Sequence, residues 1–480
     1  MGTELTPLDA AVNLHMAGRL DAAGAAYRRL LADDPAQPTA LHLLGVVAAQ
    51  AGDGPTAVRR LTRARLLAPG SAAVLAHLAG ALRLAGRVEA APPILRAALV
   101  LDPAQGDAAD SLGAVLHTLA DHAGAYGWLT RAHRLRPDRA ETVVNLGTVL
   151  RDARHFPQAE SCFAAVLRVR PDHAEAHLAL AVSRLVQGDL ERGFAELEWR
   201  WKRFAAPRWD GTPLEGRRIL LHTEQGFGDS IQFARYAPLV AARGGRVLLE
   251  VHPHLTRLFD GLWPGVTVVR HGDPLPEHDT HCPLMSLPAA FGTTLDRMPP
   301  ADAYLRADPA EVARWSGRLP VGPGLRVGLV WAGNPRHVND HNRSLPVSRL
   351  APLLSVPGIR FLSLQTGEAR AALPAGVTDL IDGVRDFADT AAILAGLDLL
   401  VTVDTAVAHV AGALGRPCWL LLPYAPDWRW LLDRTDSPWY RSLRLFRQDR
   451  PGDWDTAMES VAAALRAMAA RQEATRGNGR

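Results

Sequence analysis

The sequence predicts a helical repeat half followed by an α/β half, because two different periodicities occupy the two parts of the chain. Prolines recur every 34 residues through the first part. From Arg218 onward, short apolar runs alternate with stretches that have a helical pattern. Strands that alternate with helices are typical of parallel sheets. The length of 480 residues suits roughly three domains. We therefore predict the class α + α/β, an α-solenoid followed by two α/β domains.

The first 200 residues carry a constant 34-residue period. The prolines on this period are Pro35, Pro69, Pro103, Pro137 and Pro171, and twelve residues before them lie Ala23, Ala57, Ala91, Ala125 and Ala159. A third series holds Gly18, Gly52, Gly86 and Gly188, with Ala120 and Arg154 in the two skipped slots, and a fourth holds Gly45, Gly113 and Gly147. Small residues let two antiparallel helices touch, and proline ends the second helix of a pair. This pattern resembles the tetratricopeptide repeat.

The period gives five full repeats, and a sixth opens near Ala174. The sixth repeat departs from the pattern at 193–201, where aromatic residues are expected to cap the solenoid. We assign residues 1–204 to this repeat domain. Such repeats usually present a concave surface to a protein. The alternative to a protein-binding role is that the repeats serve as a spacer or as a dimerisation arm. A dimerisation arm would make the protein a homo-oligomer.

The composition excludes several classes of function. The formal net charge of +3 is too balanced to indicate a nucleic-acid binder. Lys202 is the sole lysine, which excludes a Walker A loop and a lysine Schiff base as the main chemistry. The three cysteines are far apart and form no metal-binding spacing or disulfide framework. No apolar run reaches membrane length, and no signal sequence is apparent. We therefore expect a cytoplasmic protein without a membrane span.

Two α/β domains are predicted after the repeats, at 205–320 and 321–470. The first begins with a linker and the second ends with a helix over 454–470, before a tail at 471–480 that is predicted to be disordered. Apolar runs predict strands at 218–224, 246–251, 266–270, 279–284, 325–331, 359–364, 397–403 and 416–422. Open α/β sheets bind ligands at the carboxyl ends of their strands. The polar turns that follow these strands are therefore the candidate site.

The candidate site residues all follow predicted strands. They are Gly226, Gly228 and Asp229 after the first strand, Asn334, Asn342 and Arg343 in the loop after 325–331, Gln365 and Glu368 after 359–364, and Asp404, Thr405, Ala406 and His409 after 397–403. A loop rich in arginine, histidine and asparagine suits phosphate, and a helix beginning near Thr405 offers free N–H groups to an anion. Helix-capping roles for Asp229 and Asp404, and a buried structural role for His409, are the alternatives.

Three of these motifs resemble the GT-B glycosyltransferases, and most closely the heptosyltransferase-like family (family 9). Gly228-Asp229 matches the family's N-terminal Gly-Asp, and the basic loop through Arg343 matches its phosphate loop, where lysine is more usual. Asp404-Thr405-Ala406 with His409 matches its Asp-Ser/Thr-Gly-x-x-His signature, although alanine replaces glycine. The resemblance covers about the last 265 residues. It implies a GT-B fold of two Rossmann-like domains.

The same resemblance implies an activity. It implies inverting transfer from a nucleotide sugar without a metal or other cofactor, with Asp229 as the base. Asn342, Arg343 and the Thr405–Ala406 backbone would hold the leaving diphosphate, Asp404 the sugar hydroxyls, and Gln365 and Glu368 the base or ribose. Asp453-Trp454-Asp455 is interpreted as a helix cap instead of a metal ligand.

The whole chain is similar to bacterial repeat-bearing glycosyltransferases, including those implicated in flagellin modification. It also parallels the repeat-bearing O-GlcNAc transferases. We therefore expect a protein acceptor, such as flagellin, recruited by the repeats. Transfer to a lipopolysaccharide or polysaccharide acceptor is a second hypothesis. A non-catalytic adaptor with a degenerate transferase domain is a third.

Overall fold

The computed structural model describes residues 5–200, 207–300, 302–337 and 339–477. Its contacts divide the chain into two compact units, Met1–Ala176 and His177–Arg480. The division falls inside the first helix of the sixth repeat, so most of that repeat belongs to the second unit. The domain boundary that the sequence predicts, after residue 204, lies outside the described residues.

The first unit consists of helix pairs that repeat every 34 residues. Its helices are α1 (Pro7–Met16), α2 (Leu20–Asp33), α3 (Pro38–Gln50), α4 (Gly54–Leu67), α5 (Ala72–Leu84), α6 (Ala91–Leu101), α7 (Gly106–Thr118), α8 (His122–Leu135), α9 (Ala140–Asp152) and α10 (Phe156–Val169). The five alanines on the period are fully buried. Each of the five prolines follows the end of a second helix. The predicted repeat solenoid is therefore confirmed.

The glycines of the fourth series lie where two helices of a pair approach most closely. A Cβ atom added to Gly113 in α7 would lie 2.5 Å from Leu129 Cγ of α8. Additions at Gly45 and Gly147 would collide equally with Leu61 and Phe163. Any larger residue would force the paired helices apart, which is the physical reason for glycine at this position.

The turn between paired helices needs a left-handed backbone even where the sequence lacks glycine. Gly18, Gly52 and Gly86 have φ angles of 71°, 80° and 72°. In the slots without glycine, Ala120 and Arg154 adopt φ angles of 60° and 63°. A residue with a Cβ atom is strained in this region. The helix pairing therefore imposes the left-handed conformation whichever residue is present, and glycine only removes the steric strain.

Replacing Ala120 by glycine is expected to raise the free energy of unfolding by about 1 kcal/mol, because glycine adopts positive φ without steric strain. The matched control is Ala85→Gly, since Ala85 ends α5 with a φ of −82° and gains nothing from glycine. Urea unfolding followed by circular dichroism would measure both variants. Equal stabilities of Ala120→Gly and Ala85→Gly would contradict the expected strain.

The second unit begins with a helix pair and continues with two α/β layers. In chain order its elements are α11 (Ala174–Val186), α12 (Leu190–Leu197), β1 (Arg218–His222), α13 (Phe227–Phe233), α14 (Ala237–Ala242), β2 (Arg246–Val251), α15 (Thr256–Phe259), β3 (Val266–Arg270), β4 (Thr280–Pro283), α16 (Leu287–Ala290), α17 (Pro309–Ser316), β5 (Leu325–Val330), α18 (Asp340–Arg343), α19 (Ala351–Leu354), β6 (Ile359–Ser363), β7 (Thr378–Asp379), α20 (Phe387–Ala395), β8 (Leu399–Val403), α21 (Ala406–Ala413), β9 (Cys418–Leu422), β10 (Leu443–Arg447) and α22 (Trp454–Gly477). All eight predicted strands are present.

Two parallel sheets organise this unit. One has the strand order β3-β2-β1-β4 and the other β10-β9-β8-β5-β6-β7. All pairings within them are parallel. Side chains of β5, β8 and β9 share one core with α22. Strands β7 and β10 were not predicted. β7 has only two residues, and β10 alternates apolar residues with arginine at the sheet edge.

Two helix predictions need correction. The helix predicted after Asp229 to run through residue 239 stops at Phe233, and α14 begins anew with Pro238 in its first turn. Proline cannot donate an interior helical hydrogen bond, so it starts a helix more readily than it continues one. In addition, α22 continues to Gly477, so the predicted disordered tail is wrong for 471–477. Arginine, glutamine, glutamate and alanine there are good helix formers.

One predicted cap is confirmed, and one helix packs beyond its predicted domain. Asp453 accepts a backbone hydrogen bond from Thr456, and Asp386 likewise accepts backbone hydrogen bonds at the start of α20. Helix α17 falls within the segment assigned to the first α/β domain, yet its Arg314 pairs with Asp389 of α20. Among the described helices, none combines the length and apolar character needed to cross a bilayer.

Candidate functional site

The segments that follow β1, β8 and β9 contact one another, which brings the carboxyl ends of both sheets to one place. Asp229 in α13, after β1, forms an ion pair with Arg429, which follows β9. Gly228 lies against His409 of α21, which follows β8. Because parallel strands present their carboxyl ends on the same edge, three separate loops of the sequence converge.

Asp229 has two partners, one on each of its oxygens. The backbone N–H of Gly226 donates to Oδ2 at 2.9 Å, so Asp229 does take part in capping α13. Oδ1 accepts a hydrogen bond from Arg429 Nη2. The capping alternative and a role facing the second sheet are therefore compatible, since different oxygens serve them.

Arg429 is the central cation of the site, and the sequence analysis did not single it out. It is 7% exposed. Its Nε donates to Gln232 Oε1 at 2.7 Å, and its Nη1 donates to Asp427 Oδ1 at 2.9 Å. A signal for this residue was available, because the polar and aromatic stretch 423–430 follows β9 at its carboxyl end. A planar guanidinium offers five N–H donors in a fixed fork, so it can hold several acceptors in defined directions, whereas a lysine ammonium has three donors on one rotating nitrogen.

Asp404 lies at the end of β8 and does not cap the helix. The N-cap of α21 is Thr405, and its side chain makes no capping hydrogen bond. The first N–H groups of α21 are therefore not occupied by a capping side chain. Burial of the Asp404 carboxyl raises its pKa to about 6, and the nearby Asp427 carboxylate adds to the rise. Asp404 can thus exchange a proton close to neutral pH.

Arg343 joins the loop after β5 to the end of β8. Its Nη1 donates to the backbone oxygen of Asp404 at 2.8 Å, and its Nε lies 3.2 Å from Asp340 Oδ1. Arg343 therefore lies beside the Asp404–Thr405 turn, and its predicted contact with a diphosphate stays a prediction. His337 in the same loop was not predicted. Although His337 is exposed, partial desolvation lowers its pKa and Arg343 acts in the same direction, while Asp340, Asp427 and Asp229 oppose the shift.

His409 is buried and serves the packing of the site. Its Nδ1 lies 3.0 Å from the hydroxyl oxygen of Tyr440. Burial lowers its pKa well below the usual value, and the neighbouring arginines act in the same direction. A Cβ atom at Gly228 would lie 2.9 Å from His409 Cδ2. Gly412 likewise faces the ring of Tyr440, where a Cβ would lie 2.5 Å away. The small residues of α21 therefore admit close neighbours, as the sequence predicts.

The remaining predicted residues lie around this centre with other partners. Gln365 accepts from the backbone N–H groups of Trp331 and Ala332, and its amide donates to two carbonyl oxygens. No hydrogen-bonding group of that side chain is left over. The Asn334 side chain accepts a hydrogen bond from the backbone N–H of Arg336 in the same loop. The Asn342 side chain donates a hydrogen bond to the backbone oxygen of Ala425. Glu368 and Gly226 are exposed, and Ala406 begins α21.

The site combines features that bind an anion with carboxylates that can bind hydroxyl groups. The guanidinium group of Arg343 lies beside the uncapped start of α21, and that of Arg429, which bonds to Asp229, Asp427 and Gln232, adds positive charge to the site. Together they suit a diphosphate. Asp229 and Asp404 stand next to them. Within the described residues, no group of three histidine, cysteine, aspartate or glutamate side chains is arranged to hold a metal ion.

Comparison with known proteins supports the repeats and identifies a relative that matches most of the chain. A tetratricopeptide repeat model matches residues 8–58, 42–106 and 144–205. Two solved structures, MamA and YrrB, are 22% and 20% identical, with TM-scores of 0.32 and 0.31. They cover 34% and 36% of this chain and 96% and 89% of their own chains. YrrB is described as a repeat protein with an unusual peptide-binding site.

A relative that matches most of the chain is Protein FlbA of Caulobacter vibrioides. It is 30% identical over 446 residues, an alignment that covers 85% of this chain and 74% of FlbA. The likeness therefore extends well beyond the repeats into the α/β unit that carries the site. This tetratricopeptide-repeat protein belongs to the same family as Protein FlbA.

Proposed function

We propose that the protein is an inverting glycosyltransferase that moves a sugar from a nucleotide-sugar donor to a hydroxyl group of a protein acceptor. The observation that carries the proposal is the convergence of Asp229, Arg343, Asp404 and the uncapped start of α21 at the carboxyl ends of two parallel sheets. These are the residues through which the sequence resembles the GT-B, heptosyltransferase-like enzymes. The repeats supply the usual means of recruiting a protein, and flagellin is the acceptor that the resemblance suggests.

In this mechanism each group has one task. The carboxylate of Asp229 removes the proton from the acceptor hydroxyl as its oxygen attacks the anomeric carbon. Arg429 holds that carboxylate in place. The bond to the leaving nucleoside diphosphate breaks, and Arg343 with the N–H groups of α21 stabilises the departing charge. Asp404 binds a sugar hydroxyl. Attack from the face opposite the diphosphate inverts the anomeric centre.

The alternative function is a non-catalytic adaptor, and one observation favours it. The charged groups of the site already satisfy one another, because Arg429 bonds to Asp229, Asp427 and Gln232 at once. A site of this kind can be retained for stability alone. The enzyme and the adaptor are distinguished by whether a nucleotide sugar binds at this site.

Arg343→Ala is expected to weaken nucleotide-sugar binding by about 1.5–3 kcal/mol, because a charge-assisted contact to the diphosphate is lost. The matched control is Arg336→Ala, since Arg336 is an exposed arginine of the same loop. Calorimetric titration with a panel of nucleotide sugars would measure both variants. A loss that is larger for Arg336→Ala would move the phosphate contact to that residue.

The proposed function is tested by intact-mass analysis of a co-expressed acceptor. Flagellin from the same organism, co-expressed with the full chain, should gain the mass of one or more sugars. Purified protein should transfer the sugar equally well in excess EDTA. No mass increase with any donor, combined with no nucleotide-sugar binding, would favour the adaptor. Activity that EDTA abolishes and a divalent metal restores would contradict the metal-independent mechanism.

A further inference from the structure

We propose that Asp110, in the fourth repeat, receives an arginine or lysine side chain of the protein that the repeats recruit. This inference rests on the recruiting role given to the repeats under the proposed function. It adds the chemistry of the partner and its position on the repeat surface.

The first helices of successive repeats form one continuous surface, defined here as the first-helix face. Helices α3 and α5, α5 and α7, and α7 and α9 contact each other directly. In stacked repeats, the surface built from such repeated helices is the one that binds extended partners. Asp110 lies in α7, near the middle of this face.

Polar side chains on the first-helix face pair with residues 35 positions later, on the next first helix. His15 contacts Gln50 at 2.8 Å, His42 contacts His77 at 2.7 Å, and His117 contacts Asp152 at 2.8 Å. By the repeat register, Asp110 is the equivalent of His42, and Asn145 is the equivalent of His77. The described structure contains no hydrogen bond between Asp110 and Asn145.

One carboxyl oxygen of Asp110 is buried and lacks a hydrogen-bond partner within the part of the chain that the structure describes. The residue is 8% exposed, and its Oδ1 is fully buried with no hydrogen-bond partner among the described residues. Buried carboxylates are normally paired, because desolvating an uncompensated charge is costly. A partner that supplies a cation would satisfy this group.

The neighbouring charges on the repeats are already compensated. Asp107, one helical turn before Asp110, pairs with Arg136 and Arg139. Asp152 pairs with His117 and Arg151. These four side chains are engaged by other carboxylates, and among the described residues no ion pair joins any of them to Asp110. A cation from a bound molecule would complete this pattern.

The first-helix face has room for such a side chain. Ala76 is the equivalent of Asp110 in the preceding repeat, and Gly80 lies one turn after it. Gly80 is exposed, and a Cβ atom added there would meet no atom within 4 Å. The surface beside Gly80 is therefore open to solvent.

The test measures peptide binding by the full chain and needs no sugar transfer. An array of 15-residue peptides from flagellin and from random sequences is screened with the wild-type protein. For the strongest binder, each arginine is replaced by citrulline, which keeps the shape but removes the charge, and each lysine by norleucine. Affinities for wild type and Asp110→Asn are then measured by fluorescence anisotropy.

A double-mutant cycle gives the decisive result. Asp110→Asn should weaken binding of the unmodified basic peptide on the order of tenfold to a hundredfold. For the peptide in which the one residue that contacts Asp110 has been neutralised, Asp110→Asn should cause no further loss of affinity. If the affinity losses caused by Asp110→Asn and by neutralising the peptide residue are additive at every basic position, the proposal is overturned. An array in which binders show no enrichment of arginine or lysine would overturn it as well.

Two glycine variants provide an independent check on the location. Gly80→Phe fills space on the first-helix face and should weaken the same peptide at least tenfold. Gly127→Phe is the matched control, because Gly127 is an exposed glycine of the second helix α8 with no atom within 4 Å of an added Cβ. Equal effects of the two variants would place the peptide elsewhere. Peptide binding without any transferase activity would contradict the proposed enzyme but leave this inference intact.

Discussion

Asp229→Asn is expected to lower the rate of sugar transfer roughly 10²–10⁴-fold, the usual contribution of a general base. An asparagine oxygen can still accept the hydrogen bond that Gly226 N donates to Asp229 Oδ2. Asparagine also caps helices about as well as aspartate. The substitution therefore keeps the local structure and removes the group that takes the proton. Transfer assayed by mass spectrometry, with nucleotide-sugar binding measured in parallel, would report both roles.

The structure adds a control for this experiment. Asp427 is the other aspartate that accepts a hydrogen bond from Arg429. Asp427→Asn disturbs the same ion network, so it controls for loss of charge near Arg429. We expect Asp427→Asn to retain most of the turnover. If both substitutions reduce the rate equally, the effect comes from the network and Asp229 is not the base.

Arg429→Met is expected to reduce the free energy of unfolding by about 3–5 kcal/mol, the cost of removing one partner from a buried ion pair. Its side chain is 8% exposed and lies beside Asp229 and Asp427. Without it, these two carboxylates and that of Asp404 would lie close together with less compensating charge. Methionine fills much of the same volume, so the effect reports charge more than packing. Chemical denaturation would measure the loss.

Two further variants separate the ion network from a general effect of losing an arginine. Arg441 pairs with Asp302 at the surface, where both side chains are largely exposed, so Arg441→Met should change stability little. Adding Asp229→Asn to Arg429→Met should restore part of the lost stability, because one unpaired carboxylate is removed. A double variant that is less stable than Arg429→Met alone would contradict the electrostatic explanation.

Much of the candidate site could be located from the sequence because strand ends are local features. The apolar run before Asp404 and the glycines around residue 227 mark where strands stop and helices begin. Parallel sheets then bring such turns to a common edge. Arg343 beside the Asp404 turn follows from this reasoning. The pairing of Asp229 with Arg429 does not, because 200 residues separate them and no local pattern links a helix start to a loop after a distant strand.

The sequence by itself determined the repeat solenoid and the existence of the parallel strands. Both depend on patterns visible within short stretches of sequence, a 34-residue period in one case and short apolar runs in the other. Tertiary structure alone decided three things: which oxygens of Asp229 face which partners, the left-handed backbone at Ala120, and the lack of a hydrogen-bond partner for Asp110 Oδ1 among the described residues. Each of these results from how separate helices and loops pack against one another, and local sequence preferences do not encode that packing.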